Sequence, residues 1–362
     1  MRPVAGAPPG GASTPPTAGQ VQPSWPAQTF ATATIRDFRY SDGTVLPETK
    51  RGYVTIGSPK RDVHGEITNA VLLLHGASGT SSLWLNPRTA VPLFSPGKPL
   101  DASKYFIIMP DGIGRGRSSK PSDGLKSKFP HYRYADMVES DYRLLTEVLG
   151  VKRLRLLLGV SMGGMQSWMW AEKHPDFMDA VVPLAAQPAP LAGRNWMMRQ
   201  ITINAIRSDP EWRGGDYDKP PSLWTKTAPA IRLMADGTVP LARMAPDVAS
   251  GRRLVEEFEK AAANMDANDT LWSREAAEDY DPTADIGRIK ARLLAINFAD
   301  DAVNPPELHT VEPVISRIPH ARYVLLPAGP LSCGHQTYQI SEMWGPVVGR
   351  FLAKVPRRQA RP

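Results

Sequence analysis

The chain predicts an α/β fold: a mostly parallel sheet flanked by helices, interrupted late by a helical insertion. Short continuous apolar runs read as strands buried on both faces: "NAVLLLHG" at 69–76, "KYFIIMPDG" at 104–112 and "LRLLLGV" at 154–160. Helix-spaced segments alternate with those runs, which is the pattern of a parallel sheet covered on both sides. From about residue 188 to 288 the alternation stops, and helical stretches with Pro-rich joints replace it.

The elements follow in order. Residues 1–30 are rich in Pro, Gly, Ala and Thr without an apolar h-region, so they predict a flexible leader rather than a signal peptide. Such a leader suits a cytoplasmic chain as written, and equally an exported chain after removal of its signal. "ATATIRDFRY" and "RGYVTIGS" predict an antiparallel opening to the sheet. "MVESDYRLLTEVLG" at 137–150 has helical spacing and stops at Gly150. "LRLLLGV" then leads into the helix "GGMQSWMWAEKH", and "DAVVPLAA" is the next strand.

The insertion carries "NWMMRQITINAI" and "GRRLVEEFEKAAANM"; Met197, Met198, Ile201, Trp224 and Met234 suggest apolar packing as a lid. "RLLAINFAD" and "ARYVLLPAG" close the set of strands. "SEMWGPVVGRFLAKV" is the last helix, with an interruption expected at Pro346. The division expected is therefore a core of residues 31–187 and 289–356 with a lid of 188–288.

Of 362 residues, 42% are hydrophobic and 22% charged, which is globular composition with room for a large core. The net charge of +7 is spread without a basic, aromatic-interleaved run, so a nucleic-acid partner is not expected. A single cysteine, Cys333, rules out an intrachain disulfide and a Cys-based metal cluster. No apolar run is long enough to span a bilayer. No cofactor and no metal site is expected, since His, Asp and Glu lack ligand spacing.

The chemistry centres on "GVSMGG", where Gly159-Val160-Ser161-Met162-Gly163 matches Gly-x-Ser-x-Gly between a strand and a helix. Side chains at the flanking glycines would collide with the neighbouring strand and helix, and the turn displays Ser161 at the carboxyl end of the sheet. The helix that follows sets its partial positive end under a developing negative charge. A serine hydroxyl needs a base. His335 in "SCGHQTY" lies between the last strand and last helix, where the order Ser, acid, His puts the base.

Among the other histidines, His75 braces the turn after a strand. His64, His131, His174, His309 and His320 read as surface residues. The acid is Asp301 in "INFADDAVNPPE", with Asp300 as the alternative. The amides of Ala77, in "HGASGTSS", and of Met162 are the expected oxyanion hole. "GIGRGRSSKPSDG" at 112–124 lacks the Gly-Lys-Ser/Thr ending of a phosphate loop and reads as a loop beside the site.

With these residues placed, the chain resembles the α/β-hydrolase superfamily and, within it, the homoserine O-acetyltransferase-like branch. The resemblance spans about residues 35–353 and rests on "GVSMGGMQSWMWA", "NAIRSDPEWRGGDY", "DDAVNPPE" and "CGHQTY". It implies the α/β-hydrolase fold with a helical lid, Ser161 as nucleophile, Asp301 and His335 as its partners, and pairing of two copies through the lid. The sequence departs where such transferases recognise homoserine. Gln336 follows the His where they usually carry Asp. Ile203-Asn204-Ala205-Ile206 replaces their Arg-Gln-Ala-Ile, with Arg199 about one helical turn earlier.

A neutral amide weakens an ammonium site, and the branch contains esterases. The expectation is therefore a serine hydrolase that cleaves small-molecule carboxylic esters of short acyl groups such as acetyl. The alternatives are acetyl transfer from acetyl-CoA to an amino-acid hydroxyl, and a non-catalytic binding protein on the same fold.

Overall fold

The structure is a computed structural model that describes residues 27–357. The expected leader lies outside the described residues up to position 26, and Thr29 and Phe30 already belong to the first strand. The strands are β1 (Thr29–Arg39), β2 (Val45–Ile56), β3 (Ala70–Leu74), β4 (Phe106–Pro110), β5 (Leu156–Val160), β6 (Ala180–Leu184), β7 (Arg292–Phe298) and β8 (Ala321–Leu326). They form one eight-stranded sheet in the order β1-β2-β4-β3-β5-β6-β7-β8. β1 and β2, and β2 and β4, run antiparallel; every later neighbour is parallel.

The helices are α1 (Pro87–Phe94), α2 (Tyr134–Arg143), α3 (Met162–Lys173), α4 (Gly193–Arg207), α5 (Ser222–Thr227), α6 (Pro229–Ala235), α7 (Thr238–Met244), α8 (Val248–Ala263), α9 (Ala267–Glu275), α10 (Glu312–Ile315) and α11 (Ser341–Lys354).

Side-chain alternation explains why the central strands are apolar throughout. Val71 and Leu73 join one core with Leu156, Leu158, Ile296, Trp344 and Val348 on the α1 and α11 side. Ala70, Leu72 and Leu74 point the other way, toward Leu157, Leu293, Trp168 and Trp170 on the α2 and α3 side. A strand with a core on each face has no position left for a polar residue.

Three expectations shift. α2 starts at Tyr134, earlier than residue 137, because the Asp136 carboxylate takes the Arg133 amide at 2.7 Å and closes the first turn. The hydrogen bonding then widens to π-type over Leu144–Val148 before Gly150 ends the run at φ +64°. α11 is not interrupted at Pro346. The carbonyl that loses its donor there belongs to exposed Glu342, on the solvent side, where water can serve it.

α4 to α9 lie between β6 and β7, and their inner side packs over the carboxyl ends of the strands. That third core holds Ala77, Ile113, Tyr132, Tyr134, Met162 and Met165 with Ile203, Ile206, Trp224, Leu271 and Trp272. Of the five residues expected to pack in the insertion, Trp224 is buried and Met198 and Met234 are half-buried, whereas Met197 and Ile201 face out. The apolar stripe of α4 therefore has two sides, and only one meets the core. Among the described residues, no helix is long and apolar enough to cross a membrane.

Candidate active site

β5 ends at Val160 and α3 begins at Met162, so Ser161 makes the turn alone. Its φ of 55° and ψ of −117° lie outside the regions open to most L-residues, a strain of order 1–3 kcal/mol. The turn exists because nothing bulkier than hydrogen stands beside it. A Cβ at Gly159 would lie 2.0 Å from the Gly163 carbonyl oxygen, and one at Gly163 would lie 2.5 Å from that of Leu74. The Ser161 amide donates to Leu184 O at 2.9 Å and the Gly163 amide to His75 O at 3.1 Å, which pins the turn between β3 and β6.

The structure brings Ser161, His335 and Asp301 together. His335 Nε2 stands 2.8 Å from Ser161 Oγ, and His335 Nδ1 stands 2.7 Å from Asp301 Oδ2. Asp301 Oδ1 accepts the amides of Val303 at 2.7 Å and Asn304 at 2.9 Å. With both oxygens committed, Asp301 accepts Nδ1–H and leaves Nε2 as the acceptor for the serine hydroxyl. Burial pushes the Asp301 carboxyl up, but His335 and the two amides outweigh it and hold the group below its ordinary value. It stays ionised.

Asp300 does not face the imidazole. Its Oδ2 accepts the Gly334 amide at 3.0 Å and so supports the turn that carries His335. Gly334 has φ +56°, and a Cβ there would come within 2.8 Å of the Gly237 nitrogen in the insertion. The histidine loop thus packs directly on the insertion.

The amides of Ala77 and Met162 have no acceptor among the described residues, and both residues are buried. A Cβ built on Gly76 would lie 3.4 Å from Ser161 Cβ, so the loop before Ala77 runs against the nucleophile turn. His75 holds that loop: Nε2 accepts the Gly112 amide at 2.8 Å, and Nδ1 lies 2.8 Å from Gly76 O. Burial lowers its pKa, so the neutral ring serves as a brace.

His174 departs from its expected surface place. Its ring stacks on Tyr142 at 4.0 Å between centroids, and burial lowers its pKa to about 4.

Sequence reasoning missed two residues. Asn304 donates from Nδ2 to Ala185 O at 2.8 Å and to Asp301 Oδ2 at 3.3 Å, tying the acid loop to the end of β6. Tyr338 places its ring 5.4 Å from that of His335, with its hydroxyl 3.5 Å from where a Gly76 Cβ would stand; burial pushes its pKa up to about 12. The Asx-like "DDAVNP" run was a signal for the first, and the "CGHQTY" motif, which ends in Tyr338, for the second. The 112–124 loop is more than a neighbour of the site. Ser122 donates from its amide and hydroxyl to Asp269 at 2.9 and 2.8 Å, which fastens the loop to α9.

Known proteins agree with this architecture. The family profile described as alpha/beta hydrolase fold matches residues 69–333. A probable acyltransferase of Methanothermobacter thermautotrophicus is 31% identical over 308 residues, covering 83% of this chain and 90% of that protein. A homoserine O-acetyltransferase of Geobacter sulfurreducens is 26% identical over 377 residues, covering 89% and 96%. The crystal structure of an acetylester hydrolase from Corynebacterium glutamicum superposes with a TM-score of 0.77 over 90% of this chain and 95% of that one, at 23% identity, a likeness of fold alone. From the strand order, the nucleophile turn and these matches, the chain belongs to the α/β-hydrolase fold family, in its homoserine O-acetyltransferase-like branch, and is an enzyme of that superfamily.

Proposed function

We propose that the protein is a serine hydrolase that cleaves small-molecule carboxylic esters of short acyl groups through an acyl-enzyme on Ser161. The hydrogen-bonded line from Ser161 through His335 to Asp301, at 2.8 and 2.7 Å, carries this reading. In it, Ser161 Oγ attacks the ester carbonyl as its proton passes to His335 Nε2, and ionised Asp301 stabilises the imidazolium. The oxyanion takes hydrogen bonds from the free amides of Ala77 and Met162. The alcohol leaves with the proton from His335. The same nitrogen then deprotonates water, which releases the acid.

A second reading keeps the acyl-enzyme and delivers it to an amino-acid hydroxyl, and the transferase relatives support it. Gln336, where such enzymes usually carry Asp, argues for water instead. A panel of p-nitrophenyl esters from acetyl to octanoyl, run beside an assay with acetyl-CoA and homoserine, separates the two. Hydrolysis greatest at acetyl is expected. Rapid acceptor-dependent thiol release with negligible ester cleavage overturns the preference. A fluorophosphonate that fails to label Ser161 would revive the non-catalytic alternative.

Pairing of two copies through the insertion belongs to the same proposal. Met197, Leu233 and Val248 stand 64, 64 and 73% exposed on its outer side, which supports an apolar contact there. Light scattering after size exclusion tests it, a dimer being expected.

A further inference from the structure

Three arginines lie on segments that pack together: Arg115 in the loop after β4, which Ser122 fastens to α9, Arg274 on α9 itself, and Arg199 on α4, which packs on α9. They are 9, 8 and 8% exposed. Arg115 Nε and Nη2, Arg199 Nη1 and Arg274 Nε are buried without a hydrogen-bond partner. Among the described residues none of the three pairs with a carboxylate. The one side-chain bond they make is from Arg199 Nε to Asn195 Oδ1, at 3.2 Å. Burial, then Arg199 and Arg115, lower the Arg274 pKa to about 9, so Arg274 lies within electrostatic reach of both.

Nearby acids are already engaged. Asp269, close to Arg115, accepts two hydrogen bonds from Ser122, and Glu275 faces Arg207 and His131. The hydroxyls of Tyr132 and Tyr134, in the same core, also lack partners. A buried guanidinium without an anion is costly, and three in reach of one another cost more. Solvated surface arginines would not show this burial.

The place matters as much as the charge. Arg115 is near enough to His75 to act on its ionisation, and Gly76 beside it abuts Ser161. Arg199 reaches the acid loop through Asn195, whose Nδ2 lies 3.5 Å from Val303 O, two residues past Asp301. The arginines are thus tied to the loops that carry His75 and Asp301.

We propose that Arg115, Arg199 and Arg274 form an anion-binding pocket, built for an ester whose non-reacting end carries a carboxylate or phosphate. Planar guanidinium forks match both groups in two-pronged hydrogen bonds. The same three cations repel an ammonium, so the pocket selects anionic esters over neutral and cationic ones. The pocket deepens the hydrolase reading and rests on it for the ester.

Calorimetric titration of Ser161→Ala and the unaltered protein with succinate and with inorganic phosphate, against chloride at matched ionic strength, tests binding alone. At least one anion should bind more tightly than about 1 mM, and which one does identifies the group. Arg115→Gln and Arg274→Gln should each weaken it about tenfold or more, with Arg274→Lys retaining most of it. Should a variant fail to fold, the unaltered protein still decides: neither anion binding better than chloride overturns the pocket.

Turnover separates this outcome from the chemistry. The ratio of kcat/KM for mono-p-nitrophenyl succinate to that for p-nitrophenyl acetate should exceed about tenfold and collapse in Arg274→Gln. Cleavage of the acetate with no anion binding sinks the pocket and leaves the hydrolase. Anion binding with no cleavage of either ester keeps the pocket and sinks the hydrolase.

Discussion

Space around Ser161 is closed largely by backbone, whereas the insertion is held on the core by side chains. At the turn, Gly159, Gly163 and Gly164 each face carbonyl oxygens or packed atoms within 3 Å of where a Cβ would stand. In the insertion, Gly251 on α8 has nothing within 4 Å, while Met197 and Ile201 on α4 point outward. The first region tolerates one conformation and hence one chemistry. The second is held by Trp224, Leu271 and Trp272 packed on the core. Turn and insertion are thus held by different physics.

The largest test of that contrast is Ser161→Ala, expected to cut ester turnover by at least ~10⁴ while circular dichroism and Tm stay unchanged. Asp301→Asn follows, with a fall of about 10³–10⁴ in kcat because the imidazole loses its tautomer and counter-charge. Asp300→Asn, which touches only the Gly334 amide, should lose about tenfold; equal losses for the two would reverse their roles.

A single added carbon compares the regions in stability. Gly163→Ala presses on the Leu74 carbonyl and should cost about 1–3 kcal/mol or more in urea unfolding. Gly251→Ala, in the first turn of α8 and in open space, should stabilise by about 0.5–1 kcal/mol. The same sign for both would break the comparison.

The smallest effect is in pH. Glu172 on α3 is pushed up to about 8 by burial, then by Asp285 and Asp281, against Arg288. The folded protein keeps that proton to about pH 8, while the unfolded chain releases it near 4.5. Between those values the folded state binds more protons, so this group makes stability fall as pH rises. Glu172→Gln should flatten that slope between pH 5 and 8; an unchanged slope assigns it elsewhere.

Much of the core was legible because its signals are local. Apolar runs at β3, β4 and β5 announce strands buried on both faces, and "GVSMG" announces the turn by its glycines. His335 and the Asp300-Asp301 pair follow from chain order after the last two strands of the parallel sheet. Local pattern failed where a neighbour decided. Pro346 looked like a break, yet α11 runs through it because the freed carbonyl faces water. α2 gained a turn from Asp136. Met197 and Ile201 looked like lid packing, since composition does not tell which side of a helix meets the core.

What the sequence determined by itself was the turn at Ser161: covalent geometry and sterics act over a few residues, so a glycine-flanked serine between strand and helix can be read directly. Only the tertiary structure decided which aspartate meets the imidazole, that Asn304 holds it, and that Arg115, Arg199 and Arg274 are buried without a carboxylate partner among the described residues. Those facts depend on distances between segments tens to hundreds of residues apart, set by packing across the sheet and the insertion, and no local pattern encodes them.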